Sequence, residues 1–149
     1  MVEPRSRGAC GEGAVTIRRV RTRLLGSLTL LWAAVIFVAS SLPKGGPVPL
    51  PGAGIDKPVH GLVYGVLGAL LCLTARSRGS VPRRAALWGA LLGLAYGVSD
   101  ELHQTFTPGR TASAADVLAD VIGATLGALL ALLAPARWVP PYPPAEDGT

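Results

Sequence analysis

Four long apolar runs, separated by short polar connections, leave this chain few ways to fold. They cover about Leu24 to Leu42, Val59 to Ala75, Ala85 to Ser99 and Val117 to Ala134. An α-helix needs roughly 20 apolar residues to cross a bilayer core of about 30 Å. Within hydrocarbon a helix also satisfies its own backbone hydrogen bonds. Hydrophobic residues make up 50% of the chain and charged ones 15%, a balance too apolar for an ordinary soluble domain. Glycine and alanine are abundant, which suits membrane helices that approach closely. The expected fold is all-α, a compact four-helix transmembrane bundle, and 149 residues leave room for one such domain.

The net charge of +5 resembles a nucleic-acid signal until its distribution is read. Arg5, Arg7, Arg18, Arg19, Arg21 and Arg23 precede the first run. Arg76, Arg78, Arg83 and Arg84 lie between the second and third, and Arg137 follows the fourth. The other two connections hold only Lys44, Lys57 and Arg110, so the basic residues divide eleven to three. By the positive-inside rule this puts both termini and the middle connection in the cytoplasm. The expected location is the cytoplasmic membrane, multi-pass. Membrane lipid is the expected partner of the basic excess, and no nucleic acid is expected. No motif sets an oligomeric state. Cys10 and Cys72 lie too far apart in this topology to pair, and Cys72 reads as a small hydrophobe.

Three segments follow from the composition: a basic cytoplasmic tail (1–23), the membrane domain (24–134) and a proline-rich cytoplasmic tail (135–149). Residues 1–17 show little apolar patterning and are expected to lack regular structure. The first run is longer than the apolar part of a signal peptide and reads as an uncleaved span. Between Pro43 and Pro58 prolines and glycines crowd together, so an extended extracytoplasmic loop is expected there. Pro58 suits the first positions of the second helix, and His60 and Tyr64 then share one face. Trp32, Trp88 and Trp138 read as core or interfacial aromatics. P-P-Y-P-P near the C-terminus reads as a spacer.

The polar residues gather where spans end. Gly89, Gly93 and Gly97 recur every four residues and lead to Asp100, Glu101 and Gln104. In reverse order, Asp116 and Asp120 lead to Gly123 and Gly127. Each helix thus carries one stripe, small in the membrane and acidic at its outer boundary. Alternation of spans brings these ends beside Asp56, Lys57, His60 and Tyr64. Both histidines and five of the nine acids fall in this group. A charge at full membrane depth costs about 2.5–3.5 kcal/mol, so such residues are rarely idle. Asp100 and Glu101 sit at a helix C-terminus, where the dipole disfavours anions. A bidentate fork from Arg110 is the expected compensation.

D-K-P-V-H-G-L-V-Y (Asp56 to Tyr64) and S-D-E-L-H-Q-T-F-T-P-G-R, followed by D-V-L-A-D-V-I-G-A-T-L-G (Ser99 to Gly127), resemble the two signatures of the VanZ-like family. These are small bacterial membrane proteins named after a teicoplanin-resistance determinant, so the resemblance makes the expected cytoplasmic membrane a bacterial one. The resemblance covers roughly Leu24 to Leu133. It implies a four-helix membrane domain and, in some members, a link to glycopeptide tolerance, but it supplies no reaction.

Three readings stand at this stage. In the first, the group is a catalytic site on a lipid-linked or envelope substrate, with His60, Asp100, Glu101, His103, Asp116 and Asp120 as acid–base candidates. Asp56, Lys57, Tyr64, Gln104 and Arg110 would then hold the substrate. It is equally a binding site for an amphiphile such as a glycopeptide or cell-wall precursor. In the third reading the charges form a network that fixes helix packing. No cofactor is expected from a motif. Carboxylates with histidine would suit a divalent metal such as Zn or Mn, and carboxylates alone Mg. The topology is testable in a background lacking Cys10 and Cys72: cysteine at position 52 should label from outside intact cells, and cysteine at position 78 should not. Outside labelling at position 78 would overturn the orientation.

Overall fold

The computed structural model describes residues 8–43 and 56–135, and side chains from Val15 onward with the exception of Asp56. It contains α1 (Gly8–Ser40), α2 (Asp56–Ser77), α3 (Pro82–Gln104) and α4 (Ala114–Leu130), the last running into a single 3-10 turn, Ala131–Leu133. No strand occurs among the described residues. Most of the proline-rich first loop, the P-P-Y-P-P segment and Trp138 lie outside them.

One expectation is corrected at the start. Helix α1 begins at Gly8, so residues 8–17, expected without regular structure, continue the first span as 33 residues of helix. Arginine is a good helix former, and a run of helix already in place extends at little cost beyond its nucleus.

The turns follow local chemistry. At the end of α2, Gly79 takes a φ of 99°. Its N–H donates to Arg76 O at 2.9 Å and that of Ser80 to Ala75 O at 3.0 Å, a Schellman closure. Pro82 then opens α3 at its first position. After α3, Thr107-Pro108-Gly109-Arg110 makes a second tight turn, with Gly109 at φ 75° and Arg110 N donating to Thr107 O at 3.1 Å. Pro followed by a positive-φ glycine is the arrangement of a type II turn. Ser113 caps α4, its hydroxyl accepting from Asp116 N at 3.3 Å.

Helix α2 lies in the middle. It runs parallel to α4 and antiparallel to α1 and α3, and glycine sets how near it comes. A Cβ built on Gly68 would strike the backbone of Ala124, one on Gly123 that of Gly61, and one on Gly127 that of Gly65. The α3 stripe reads as expected: Ala85, Ala86, Gly89, Gly93, Gly97, Asp100, Glu101 and Gln104 are its buried residues. Cys72 packs as a small hydrophobe among Ala85, Ala86, Ala128 and Ala131.

The distribution of side chains is inverted relative to a water-soluble domain. The largest fully buried ones are Tyr64, Asp120 and Cys72, while Leu30, Leu62, Leu102, Leu118 and Leu130 are more than half exposed. A soluble protein does not leave this much apolar surface to water. Three helical segments, Val15–Ser40, Lys57–Ser77 and Ala114–Leu133, are long and apolar enough to cross a membrane. Helix α3 has 23 residues but carries Arg83 and Arg84 at one end and Asp100, Glu101 and His103 at the other.

Charge also separates along the helix axes. Arg76 donates from Nη1 to Ala131 O at 2.6 Å, and Thr22 Oγ1 to Ser77 O at 3.2 Å, so the basic connection after α2 meets the start of α1 and the end of α4. The buried acids occupy the opposite ends.

Gly127→Ala should destabilise the protein by about 1–3 kcal/mol, the usual cost of overpacking. Gly26→Ala meets only Arg78 Nη2 at 3.8 Å and should be neutral or stabilising. Thermal melting of the detergent-solubilised variants checks this; equal melting temperatures would refute the packing.

Candidate functional site

At the acidic end, α2 and α4 run side by side, so residues at matching heights pair. Lys57 Nζ donates to Asp116 Oδ1 at 2.9 Å. One turn deeper, His60 Nδ1 lies 2.9 Å from Asp120 Oδ1. Exposure falls sharply between the two levels: the Lys57 side chain is 55% exposed and that of Asp120 is fully buried.

Helix α3 adds Glu101 from the side. Its Oε2 accepts from the Ser113 N–H at 2.6 Å, in front of the first turn of α4. Glu101 is therefore attached to the positive end of one helix dipole while it leaves the negative end of another. One ligand atom each from His60, Glu101 and Asp120 lies within 4.8 Å of the others. Three buried oxygens here have no hydrogen-bond partner among the described residues: Glu101 Oε1, Asp120 Oδ2 and the Tyr64 hydroxyl. Gly97 gives them space, since a Cβ there would meet Asp120 Oδ2 at 3.1 Å and Tyr64 Cε1 at 3.4 Å.

A second set of contacts faces α1. Asp100 Oδ2 accepts from Ser40 Oγ at 2.7 Å and from Gln104 Nε2 at 3.2 Å. The expected Arg110 fork to a carboxylate is not formed. Instead Nε donates to Leu42 O and Nη2 to Ala39 O, both at 3.1 Å, and Nη1 to Gln104 Oε1 at 3.2 Å. The end of α1 offers carbonyls beyond the regular helical ladder, Ala39 O also accepting from Leu42 N at 3.3 Å, and these hold the guanidinium. Arg110 thus reaches Asp100 only through Gln104.

His103 also departs from expectation. Its ring stacks on Phe37 at 4.6 Å and its Nε2 lies 3.0 Å from Ser41 Oγ, so it packs on α1, and the cluster of three contains His60 instead. A step of two residues from Glu101 on a helix turns a side chain by about 200°, which separates the two. Asp56 is the first residue of α2.

The structure therefore joins His60, Glu101 and Asp120, sets Lys57 and Asp116 above them and Tyr64 below, and leaves Asp100, His103, Gln104 and Arg110 toward α1. Ser40 and Ser113 are site residues outside the predicted set. The S-x-x-D spacing of Ser113 and Asp116 ahead of an apolar run is a capping signal that marks the second. No comparable pattern marks Ser40.

In comparisons with known proteins, the family model VanZ/LLP1 matches residues 24–135. Neither the curated proteins nor the solved structures give a match.

Arg110→Ala should cost about 1.5–3 kcal/mol, the range for hydrogen bonds to a charged group, and Arg110→Lys should not restore it, because an ammonium cannot span the three acceptors. Hydrogen exchange near the C-terminus of α1 should rise in both. Unchanged exchange there would contradict the role.

Proposed function

The chain belongs to the VanZ/LLP1 family, and from that premise we propose a multi-pass protein of the bacterial cytoplasmic membrane that binds the polar headgroup of a cell-envelope or lipid-linked amphiphile. Four helices span as one bundle, with both termini cytoplasmic and the acidic end outward. The eleven-to-three division of basic residues supports that orientation. So does the separation of Arg76 from the His60 end of α2.

The observation that carries the reading is the unmet demand around His60. Glu101 Oε1 and Asp120 Oδ2 are buried without partners beside it. A buried polar atom left unpaired costs about 1–3 kcal/mol. A network evolved only to fix packing would satisfy such atoms, as Asp100 and Asp116 are satisfied by Ser40, Gln104 and Lys57. Groups that a ligand must reach are left open. Lys57, half exposed above the cluster, provides a cation for an anionic headgroup.

The pairing of His60 with Asp120 also fits acid–base work, because a carboxylate holds the imidazole in one tautomer and orientation. The family resemblance extends to glycopeptide tolerance in some members. Lipid-linked wall precursors and lipoglycopeptides are therefore the ligands to test.

Glu101→Gln keeps the shape of the side chain and the bond from Ser113 N–H. It should abolish amphiphile binding by the purified protein while the folded, membrane-inserted amount stays near wild type. If the cluster is purely structural, breaking it should cost about 3–5 kcal/mol and lower folded protein along with binding. Binding and folded yield measured side by side decide it, and a parallel loss would sink the proposal.

A further inference from the structure

Four of the five acids at this end have described side chains, and each is buried to nine-tenths or more: Asp100, Glu101, Asp116 and Asp120. Lys57 and Arg110 are the fixed cations among them. With His60 neutral, these four acids exceed Lys57 and Arg110 by two charges, and Asp56 at the start of α2 adds a third. Lys57 bonds to Asp116, and Arg110 spends its donors on two carbonyls and the Gln104 amide. Asp100 is met by two neutral donors, whereas Glu101 and Asp120 each keep an oxygen without a partner among the described residues.

We propose that His60, Glu101 and Asp120 form a divalent-cation site for a first-row ion, Zn2+ or Mn2+. One imidazole and two carboxylates are the borderline donor set such ions take. Bonds of about 2.0–2.2 Å put ligand atoms roughly 3–4 Å apart around an ion. Here the three atoms lie within 4.8 Å of one another, so a small contraction closes the site. The independent observation is the pair of unpartnered oxygens: Glu101 is 3% exposed and Asp120 0%, and each of these two members of the cluster has a carboxylate oxygen without a hydrogen-bond partner among the described residues.

The surrounding bonds are those that orient metal ligands. Ser113 N–H fixes Glu101 by Oε2 and leaves Oε1 free to coordinate. An ion on His60 Nδ1 would take the place of the proton shared with Asp120, the neutral ring then carrying its one proton on Nε2. Three protein ligands would leave at least one position open, and the half-exposed Lys57 side chain lies one turn above them. The inference rests on the amphiphile-binding reading for its purpose: an ion there would take an oxygen of the bound headgroup as its next ligand.

The test uses the full chain in detergent, with any purification tag removed and chelator dialysed away. Zn2+ and Mn2+ are added separately, and bound metal is counted by mass spectrometry of the elements. One ion per chain is expected, together with a rise in melting temperature. Pulsed electron paramagnetic resonance of the Mn2+ form should show coupling to an imidazole nitrogen. That coupling should vanish in His60→Gln and persist in His103→Ala. Glu101→Gln should lose stoichiometric metal. Should His60→Gln fail to fold, loss or persistence of the nitrogen coupling in His103→Ala still says which histidine binds. No uptake of either ion would overturn the site, as would uptake unchanged in Glu101→Gln or a nitrogen signal that follows His103. Amphiphile binding measured on the metal-free and metal-loaded protein separates the two proposals. A metal-loaded chain that binds no amphiphile fails the functional reading alone, and a chain that binds amphiphile but no metal fails this one alone.

Discussion

The carbonyl oxygen of Gly65 occupies the place where a side chain on residue 127 would begin, and that of Gly61 does the same at residue 123. Two helix backbones this near leave no room for water or lipid between them, and dispersion accumulates along the whole contact. Everything at the acidic end follows from this approach. Lys57 and His60 continue the same face of α2 upward, and Asp116 and Asp120 the same face of α4. Once the glycines fix the distance, the two polar pairs meet without any adjustment of their own. The third wall comes from α3, whose Gly93 faces Ala124 and whose Gly97 faces Asp120, so Glu101 arrives at the same level.

Burying four carboxylates in one end of a small helical protein is costly, and the fold answers each cost differently. Asp100 receives two neutral donors and Asp116 an ammonium. Glu101 uses a backbone N–H at the start of a helix, and Asp120 an imidazole. Neutral and charge-assisted donors have different strengths, and the ion-like pairs sit at the α2–α4 contact while the neutral ones face α1. The end of the molecule is therefore divided into a tightly built half and a half held by ordinary hydrogen bonds.

Much of this was legible in the residues. Glycine and acid at steps of three and four gave the buried stripes of α3 and α4, because helical periodicity alone determines which residues share a face. The local turns at Gly79 and Gly109 were also within reach of sequence rules. Partner choice was not. Arg110 and the acids suggested an ion pair, yet the guanidinium found the carbonyls at the end of α1, a feature that exists only once α1 stops at Ser40. His103 and Glu101 look adjacent in the chain but point to different helices. The α2 face of Gly61, Gly65 and Gly68 was the least conspicuous of all, since Val and Leu between them make that run read as merely apolar.

Helix α1 is attached by specific polar contacts spread over its length. Thr29 Oγ1 meets Thr74 Oγ1 at 3.0 Å, Trp32 Nε1 donates to Val63 O at 2.9 Å, and Tyr96 Oη donates to Ala33 O at 2.7 Å. Lipid-facing leucines tolerate sliding, because one methyl is much like the next. These contacts do not. A slip of α1 by a single turn, about 5.4 Å, would break all three together and pull Ser40 away from Asp100. The first helix therefore has one height against its neighbours, and the level at which it ends is set from the middle of the membrane outward.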